Sequence, residues 1–283
     1  MVSKQLRVVI TGDGGQLAQC IKHLDPNFDH LFFYKDRKAL DITHANSVKT
    51  VLDALKPHVI INTAAYTQVD LAETETDAAF AVNERGVANL ATYCSENRVK
   101  LIHISTDYVF DGASSRPYLE SDATAPQTTY GKSKRAGELA ILEAAIPAFW
   151  IIRTAWLYSI YGKNFYKTIL NLAQSRDELS VVNDQTGVPT QALDLAHFLL
   201  KHITQLNPQN SGIYHFVNSG QASWFDFAQA IVAQNGLKTK VIAVSSSQYP
   251  TLARRPKFSV LDNSKLQKTF NYSIRDWSTA LPG

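Results

Sequence analysis

Cysteine is nearly missing from this chain: Cys20 and Cys94 are the only two in 283 residues. Two isolated thiols build neither a disulfide framework nor a metal site. Both fall in stretches predicted to be helical, where they read as packing residues. Long apolar runs are missing too. None approaches the ~20 residues that a membrane-spanning helix needs, so no membrane association is expected. The chain runs almost at once into an apolar strand at residues 6–10, without the apolar core and cleavage site of a signal peptide. A reducing, cytoplasmic setting is the expectation. Charge of one sign is scarce: 28 basic residues face 25 acidic ones, for a net +3. That is no footprint for nucleic acid. Internal repeats, low-complexity stretches and long linkers are absent as well.

What remains is a chain with 45% hydrophobic residues, enough for a substantial core. Its first half alternates strand and helix patterns, which predicts a doubly wound parallel sheet of the Rossmann type. Val8-Val9-Ile10 runs straight into Thr11-Gly12-Asp13-Gly14-Gly15-Gln16-Leu17-Ala18. Glycines there permit a tight turn and close approach of backbone to a pyrophosphate, which would sit at the next helix N-terminus. Leu31-Phe32-Phe33-Tyr34 is a second strand. Lys35-Asp36-Arg37-Lys38 follows at the position where an acid would bind a ribose 2′-hydroxyl and cations a 2′-phosphate. Both kinds of residue are present, so NADH and NADPH stay open. Leu40-Asp41-Ile42-Thr43 reads as a capped turn before a helix through Val48, Val51, Leu52 and Leu55, ended by Pro57.

Val59-Ile60-Ile61-Asn62 is a third strand, apolar without alternation, as expected where both faces are covered. Thr63-Ala64-Ala65-Tyr66-Thr67 lies at its carboxyl end, where such sheets bind ligands. A long helix is predicted over residues 77–95. Leu101-Ile102-His103-Ile104 is the fourth strand, which places Thr106 at its carboxyl end with a hydroxyl able to donate to a substrate oxygen. His103 sits mid-strand and reads as a satisfied core histidine. The helical turn Tyr130-Gly131-Lys132-Ser133-Lys134 puts Tyr130 and Lys134 on one face. A lysine ammonium near a phenol favours the phenolate and brings it toward the range of an acid–base catalyst.

Beyond the strand at residues 148–153 the alternation breaks down. Asn164 is expected to cap a helix through Phe165, Ile169, Leu170 and Leu172. Short strands are predicted at residues 179–182 and 212–216, a helix after Ser223 and a helix cap near residues 262–266. The second half therefore reads as a smaller C-terminal lobe of insertions packed on the sheet. The expected division is a dinucleotide-binding unit over residues 1–154 and a substrate-binding lobe over 155–283, with some segments returning to the sheet. Trp156 and Tyr158 could each pack on a ligand, Tyr158 reading rather as core. Arg254-Arg255 offers guanidinium groups suited to phosphate.

Gly12-x-x-Gly15, Asn62-Thr63-Ala64-Ala65, Ser105-Thr106-Asp107 and Tyr130-x-x-x-Lys134 fall in order along the strands. Together they resemble an extended short-chain dehydrogenase/reductase. Leu40-Asp41-Ile42-Thr43, Val69-Asp70, Thr106-Asp107-Tyr108-Val109-Phe110-Asp111-Gly112, Arg153-Thr154-Ala155-Trp156 and Val182-Asn183-Asp184-Gln185 narrow the likeness. They resemble the dTDP-4-dehydrorhamnose reductases. That resemblance implies reduction of the C4 keto group of dTDP-4-dehydro-L-rhamnose by NADPH or NADH, a step of nucleotide-sugar and polysaccharide biosynthesis. It implies catalysis by Thr106, Tyr130 and Lys134. It implies a cofactor lined by Gly12, Gly15, Gln16, Leu17, Asp41, Ile42, Ala64, Ala65, Tyr66, Thr67, Tyr130 and Lys134. Substrate contacts would come from Thr106, Asp107, Trp156 and Arg255.

The rival readings are a related nucleotide-sugar epimerase or dehydratase, and a non-catalytic regulatory subunit resembling the methionine adenosyltransferase β subunit. Some relatives form a homodimer bridged by a metal on glutamates. Gln19-Cys20 and Gln191-Ala192-Leu193 supply few carboxylates at the corresponding places, so a homodimer is possible but no metal is expected.

Overall fold

Six apolar runs become the strands of one parallel sheet in the computed structural model, which describes residues 5–282. The elements, in chain order, are β1 (Arg7–Thr11), α1 (Gln16–Leu24), β2 (Leu31–Lys35), α2 (Ala45–Leu55), β3 (Val59–Asn62), α3 (Thr76–Phe80), α4 (Gly86–Glu96), β4 (Lys100–Thr106), α5 (Thr129–Glu143) and β5 (Phe149–Thr154). They continue as β6 (Leu157–Tyr158), α6 (Phe165–Ala173), β7 (Glu178–Val182), β8 (Thr186–Gly187), β9 (Thr190–Gln191), α7 (Ala192–His202), β10 (Gly212–His215), β11 (Ala222–Ser223), α8 (Trp224–Gln234), β12 (Lys240–Val244) and α9 (Ser264–Phe270).

The sheet runs β10-β5-β4-β3-β1-β2, parallel throughout. Strand side chains alternate between faces. Val8, Ile10, Ile61, Ile102, Trp150 and Ile152 pack under α1, α7 and α9. Val9, Ile60, Leu101 and Ile151 pack under α2, α4 and α5. Both faces are thus covered, which is why these strands read as unbroken apolar runs. Chain order reverses between β1 and β3, and a ligand crevice opens at the strands' carboxyl ends at such a point.

Cys20 and Cys94 are buried in α1 and α4, as the sequence implied. The helix expected over residues 77–95 is present, with a difference. A π-helical stretch, Ala81–Arg85, joins α3 to α4. Helix α2 ends where Lys56 turns left-handed ahead of Pro57. Asn164 caps α6 and Ser223 caps α8 in a reciprocal capping box with Asp226.

The remaining segments form a smaller layered unit. Parallel β7–β12 packs with α6 and α8 around Tyr158, Phe227 and Ile231. Tyr158 is fully buried, a core residue as expected. Strand β10 and helix α7 belong to the main sheet and its cover.

Candidate active site

The crevice is a cleft of about 840 Å³ at the carboxyl ends of β1, β3, β4 and β5. Gly12 turns there with φ +72°, and a Cβ on it would stand 2.8 Å from the backbone of Ala64. Only glycine fits that turn. Gly15 then starts α1 without any side chain capping the first N–H groups. Those N–H groups and the helix dipole suit an anion. The residues present therefore fit a dinucleotide pyrophosphate. Gln16, Leu17, Asp41, Ile42, Ala64, Ala65, Tyr66 and Thr67 line the same cleft.

One feature of this cradle was not signalled by any motif. Asn83 sits in the π-helical stretch, fully buried. Its side chain accepts from the Tyr66 N–H at 2.9 Å and donates to the Tyr66 carbonyl at 3.0 Å, which fixes the loop after β3. After β2, the Asp36 carboxylate accepts from the Ala39 N–H within its own turn, while Arg37 lines the cleft. Replacing Arg37 with alanine is expected to weaken NADPH by about tenfold, on the scale of a lost charged hydrogen bond at an exposed site. NADH affinity should hold. Fluorescence titration of both cofactors checks this, and an equal loss for both would remove Arg37 from 2′-phosphate recognition.

The catalytic candidates come from β4 and α5. Thr128 caps α5 by accepting from the Gly131 N–H at 3.0 Å. A Cβ on Gly131 would meet the Tyr108 carbonyl oxygen, so this glycine lets the first turn of α5 sit against the segment after β4. That close approach brings Tyr130 and Lys134 into one cleft with Thr106. The Thr106 hydroxyl accepts from the Tyr108 N–H and donates to Asp107 Oδ1 at 3.0 Å. Burial pushes the Tyr130 phenol well above its ordinary value, with the Thr106 hydroxyl offsetting part of the shift. Tyr130 is therefore protonated at neutral pH.

Lys134 lies differently from the sequence expectation. Its Nζ donates to the Ile104 carbonyl at 2.6 Å and faces His103 Nε2 at 3.2 Å. Burial lowers it to about 8, Glu138 opposing the fall. Lysine is not among the influences on Tyr130, whose neighbours Asp107 and Tyr108 instead raise it further. The phenol is thus a protonated donor, and Lys134 shares its cleft.

Behind these residues lies a buried ion pair. Glu138, one turn beyond Lys134, accepts from Arg153 Nε at 2.8 Å and Nη2 at 2.7 Å, from Ser105 at 2.6 Å and from Arg135 at 3.0 Å. Next to Thr106, Asp107 is buried and lifted to about 6, the Ser259 and Thr106 hydroxyls offsetting part of the effect. Trp156 stands in the left-handed region at φ +45° and stacks on Trp224 at 3.5 Å. Gly187 packs so closely on the same indole that a Cβ there would stand 2.5 Å from the ring, so Trp156 meets the cleft only in part. Arg255 does not line the main cleft. It pairs with Asp70 and reaches Tyr108 Oη at 3.5 Å, lining an adjoining pocket of about 380 Å³ together with Arg254. Tyr108 borders both cavities.

The RmlD substrate binding domain family matches residues 6–283. The chain belongs to that family. It is 44% identical over 285 residues to the dTDP-4-dehydrorhamnose reductase of Aggregatibacter actinomycetemcomitans, covering 97% of each. It is 37% identical over 276 residues to the dTDP-4-keto-6-deoxy-D-glucose reductase of Streptomyces niveus, covering 97% of this chain and 95% of that one. The crystal structure of dTDP-4-dehydrorhamnose reductase from Bacillus anthracis in complex with NADP superposes with a TM-score of 0.92 at 38% identity, over 97% of this chain and 96% of that one. Within this RmlD-family chain, no helix among the described residues is long and apolar enough to cross a membrane.

Proposed function

We propose that this chain is a dTDP-4-dehydrorhamnose reductase, reducing the C4 keto group of dTDP-4-dehydro-L-rhamnose with NADPH or NADH. The observation that carries the reading is the meeting of Thr106, Tyr130 and Lys134 in the cleft that begins at the Gly12–Gly15 turn. The reduced nicotinamide supplies the hydride when bound. Gly12, Gly15, Gln16 and Leu17 would hold the pyrophosphate, and Asp41, Ile42 and residues 64–67 would border the nucleoside. Thr106 would turn its hydroxyl from Asp107 to the substrate carbonyl, polarising it. Tyr130, kept protonated by burial, would donate to the developing alkoxide. Lys134 would hold the nicotinamide ribose.

The protonated state of Tyr130 supports reduction, because a ketone needs a proton as the hydride arrives. Asp107 is followed by Tyr108 rather than a second acid, which weighs against a dehydratase. The complete trio weighs against a regulatory subunit. In this reading residues 1–154 are mainly the dinucleotide-binding unit and 155–283 mainly the substrate lobe. The enzyme works in the cytoplasm, as a homodimer if it assembles. Loss of reduced-nicotinamide absorbance on adding the keto sugar tests the reading. No oxidation of either cofactor would overturn it.

Asp107, Trp156 and Arg255 are read as substrate contacts. Arg255 is already neutralised by Asp70, so a diphosphate would have to share or displace that carboxylate. Arg255→Ala is expected to weaken dTDP binding by roughly 10- to 100-fold, the scale of a lost charged hydrogen bond. Cofactor binding should be untouched. Calorimetric titration with dTDP reads this, and unchanged affinity would leave Arg255 as a structural partner of Asp70.

A further inference from the structure

Helix α5 is entered from residues 110–128, which form no helix or strand. Its later turns are tied to the sheet. Lys134 Nζ donates to the Ile104 carbonyl on β4, and Glu138 accepts from Arg153 on β5. The first turn, which carries Tyr130, is held differently. Thr128 closes it from within, accepting from the Gly131 N–H through its hydroxyl and from the Lys132 N–H through its carbonyl. A second hold comes from 56 positions earlier. Glu73 Oε1 accepts from the Thr129 N–H at 2.9 Å, and the Thr129 hydroxyl donates to Glu73 Oε2 at 3.0 Å. Both carboxylate oxygens close on one residue, the neighbour of Tyr130.

An acid suits this place. The opening N–H groups of a helix have no partner inside it, and the helix dipole favours negative charge there. Glu73 lines neither the cleft nor the adjoining pocket, so its effect on either must pass through α5. It ends a short 3₁₀ turn, Leu71–Glu73, that is itself anchored. Just before that turn, Asp70 accepts from the Ala253 N–H at 2.9 Å and pairs with Arg255. Just after it, Glu75 accepts from the Tyr66 hydroxyl at 2.7 Å. Glu73 therefore reaches α5 from a segment fastened on both sides.

We propose that Glu73 is a positioning residue: by gripping Thr129 with both oxygens, it sets the first turn of α5 and with it the place of the Tyr130 hydroxyl in the cleft. This role rests on the reading of Tyr130 as the proton donor. Two anchorages then divide the helix. Glu73 governs the turn of the donor, while Ile104 and Arg153 govern the turns of Lys134 and Glu138. Loss of Glu73 should displace Tyr130 and spare Lys134. A misplacement of about 1 Å at a reacting group can cost on the order of 100-fold in rate.

Backbone amide exchange of the whole protein reads this hold without any need for activity. In Glu73→Ala the Gly131 and Lys132 amides should exchange about tenfold faster, on the scale of a lost helix cap, with the Glu138 amide unchanged. Glu73→Gln should match wild type, since its oxygen can accept from the N–H and its nitrogen donate to the hydroxyl. Equal protection in wild type and Glu73→Ala overturns the proposal whatever the enzyme's substrate proves to be. With the keto sugar, Glu73→Ala should lower kcat about 10- to 100-fold and leave cofactor affinity unchanged, and Glu73→Gln should restore it. Glu73→Asp keeps the charge on an arm one methylene shorter; it should fall with alanine, and it decides if the alanine variant does not fold. In a Tyr130→Phe background, Glu73→Ala should lower the residual turnover no further, because the hydroxyl it places is already gone. Additive losses, or wild-type kcat in Glu73→Ala, overturn the proposal. Wild-type turnover in Tyr130→Phe alone overturns the donor assignment and this role with it.

Discussion

Replacing Tyr130 with phenylalanine lowers turnover on the order of 10²- to 10⁴-fold, the range of general acid catalysis. The substitution removes one oxygen and almost no volume, so the T-shaped contact of the ring with Tyr108, 5.5 Å between centroids, should survive. The cap of α5 on Thr128 does not involve the phenol and should persist. The hydroxyl matters most as negative charge develops on the substrate oxygen, so kcat falls far more than substrate affinity. Burial holds the phenol protonated until the hydride arrives. Steady-state kinetics with the keto sugar, beside cofactor titration, separates the two effects. Wild-type turnover in the variant would remove Tyr130 as the donor.

The largest expected effect on stability comes from Glu138→Ala. Glu138 has no exposed side-chain surface and Arg153 has 1%. Removing the carboxylate leaves Arg153 buried without its counter-charge and Ser105 without its acceptor. Breaking a buried pair on one side costs about 3–5 kcal/mol. For a chain of this size that corresponds to a fall in Tm of about 5–8 °C. The paired change Glu138→Leu with Arg153→Met removes both charges and should recover most of the loss, because an uncompensated charge costs more than a missing ion pair. Thermal unfolding of both variants is the measurement. A loss below about 1 kcal/mol in Glu138→Ala would mean that water reaches Arg153. Because Glu138 lies one turn from Lys134 on α5, the same pair aligns the helix that carries the catalytic residues.

Much of this architecture can be read from residue order. Apolar runs at the five Rossmann strands, the Gly12–Gly15 turn and the caps at Asn164 and Ser223 are local signals. Each depends on side chains a few residues apart, so a linear reading finds them. Thr106 at the end of β4 and the Tyr130–Lys134 spacing were legible for the same reason. Helix α7 was not, because no side chain caps its start and its buried residues lie on most sides rather than in one stripe. The π-helical stretch around Asn83 was hidden inside a regular helical period. Its position is fixed by the backbone of Tyr66, seventeen residues earlier.

The sequence by itself determined the sheet, the nucleotide turn and the residues that reach the crevice, because strand and helix periods and glycine turns are decided over short separations. Only the tertiary structure decided how those residues are used. Arg255 belongs to Asp70, 185 positions away, and Trp156 lays one face on Trp224. His103 reads in the chain as a satisfied core histidine, and it is one. Its partner proves to be Lys134, because strand register aligns it with Asn62 on one side while α5 crosses it on the other. Bonding between buried groups depends on which donor faces which acceptor. That is set by packing between elements distant in sequence, which no local pattern encodes.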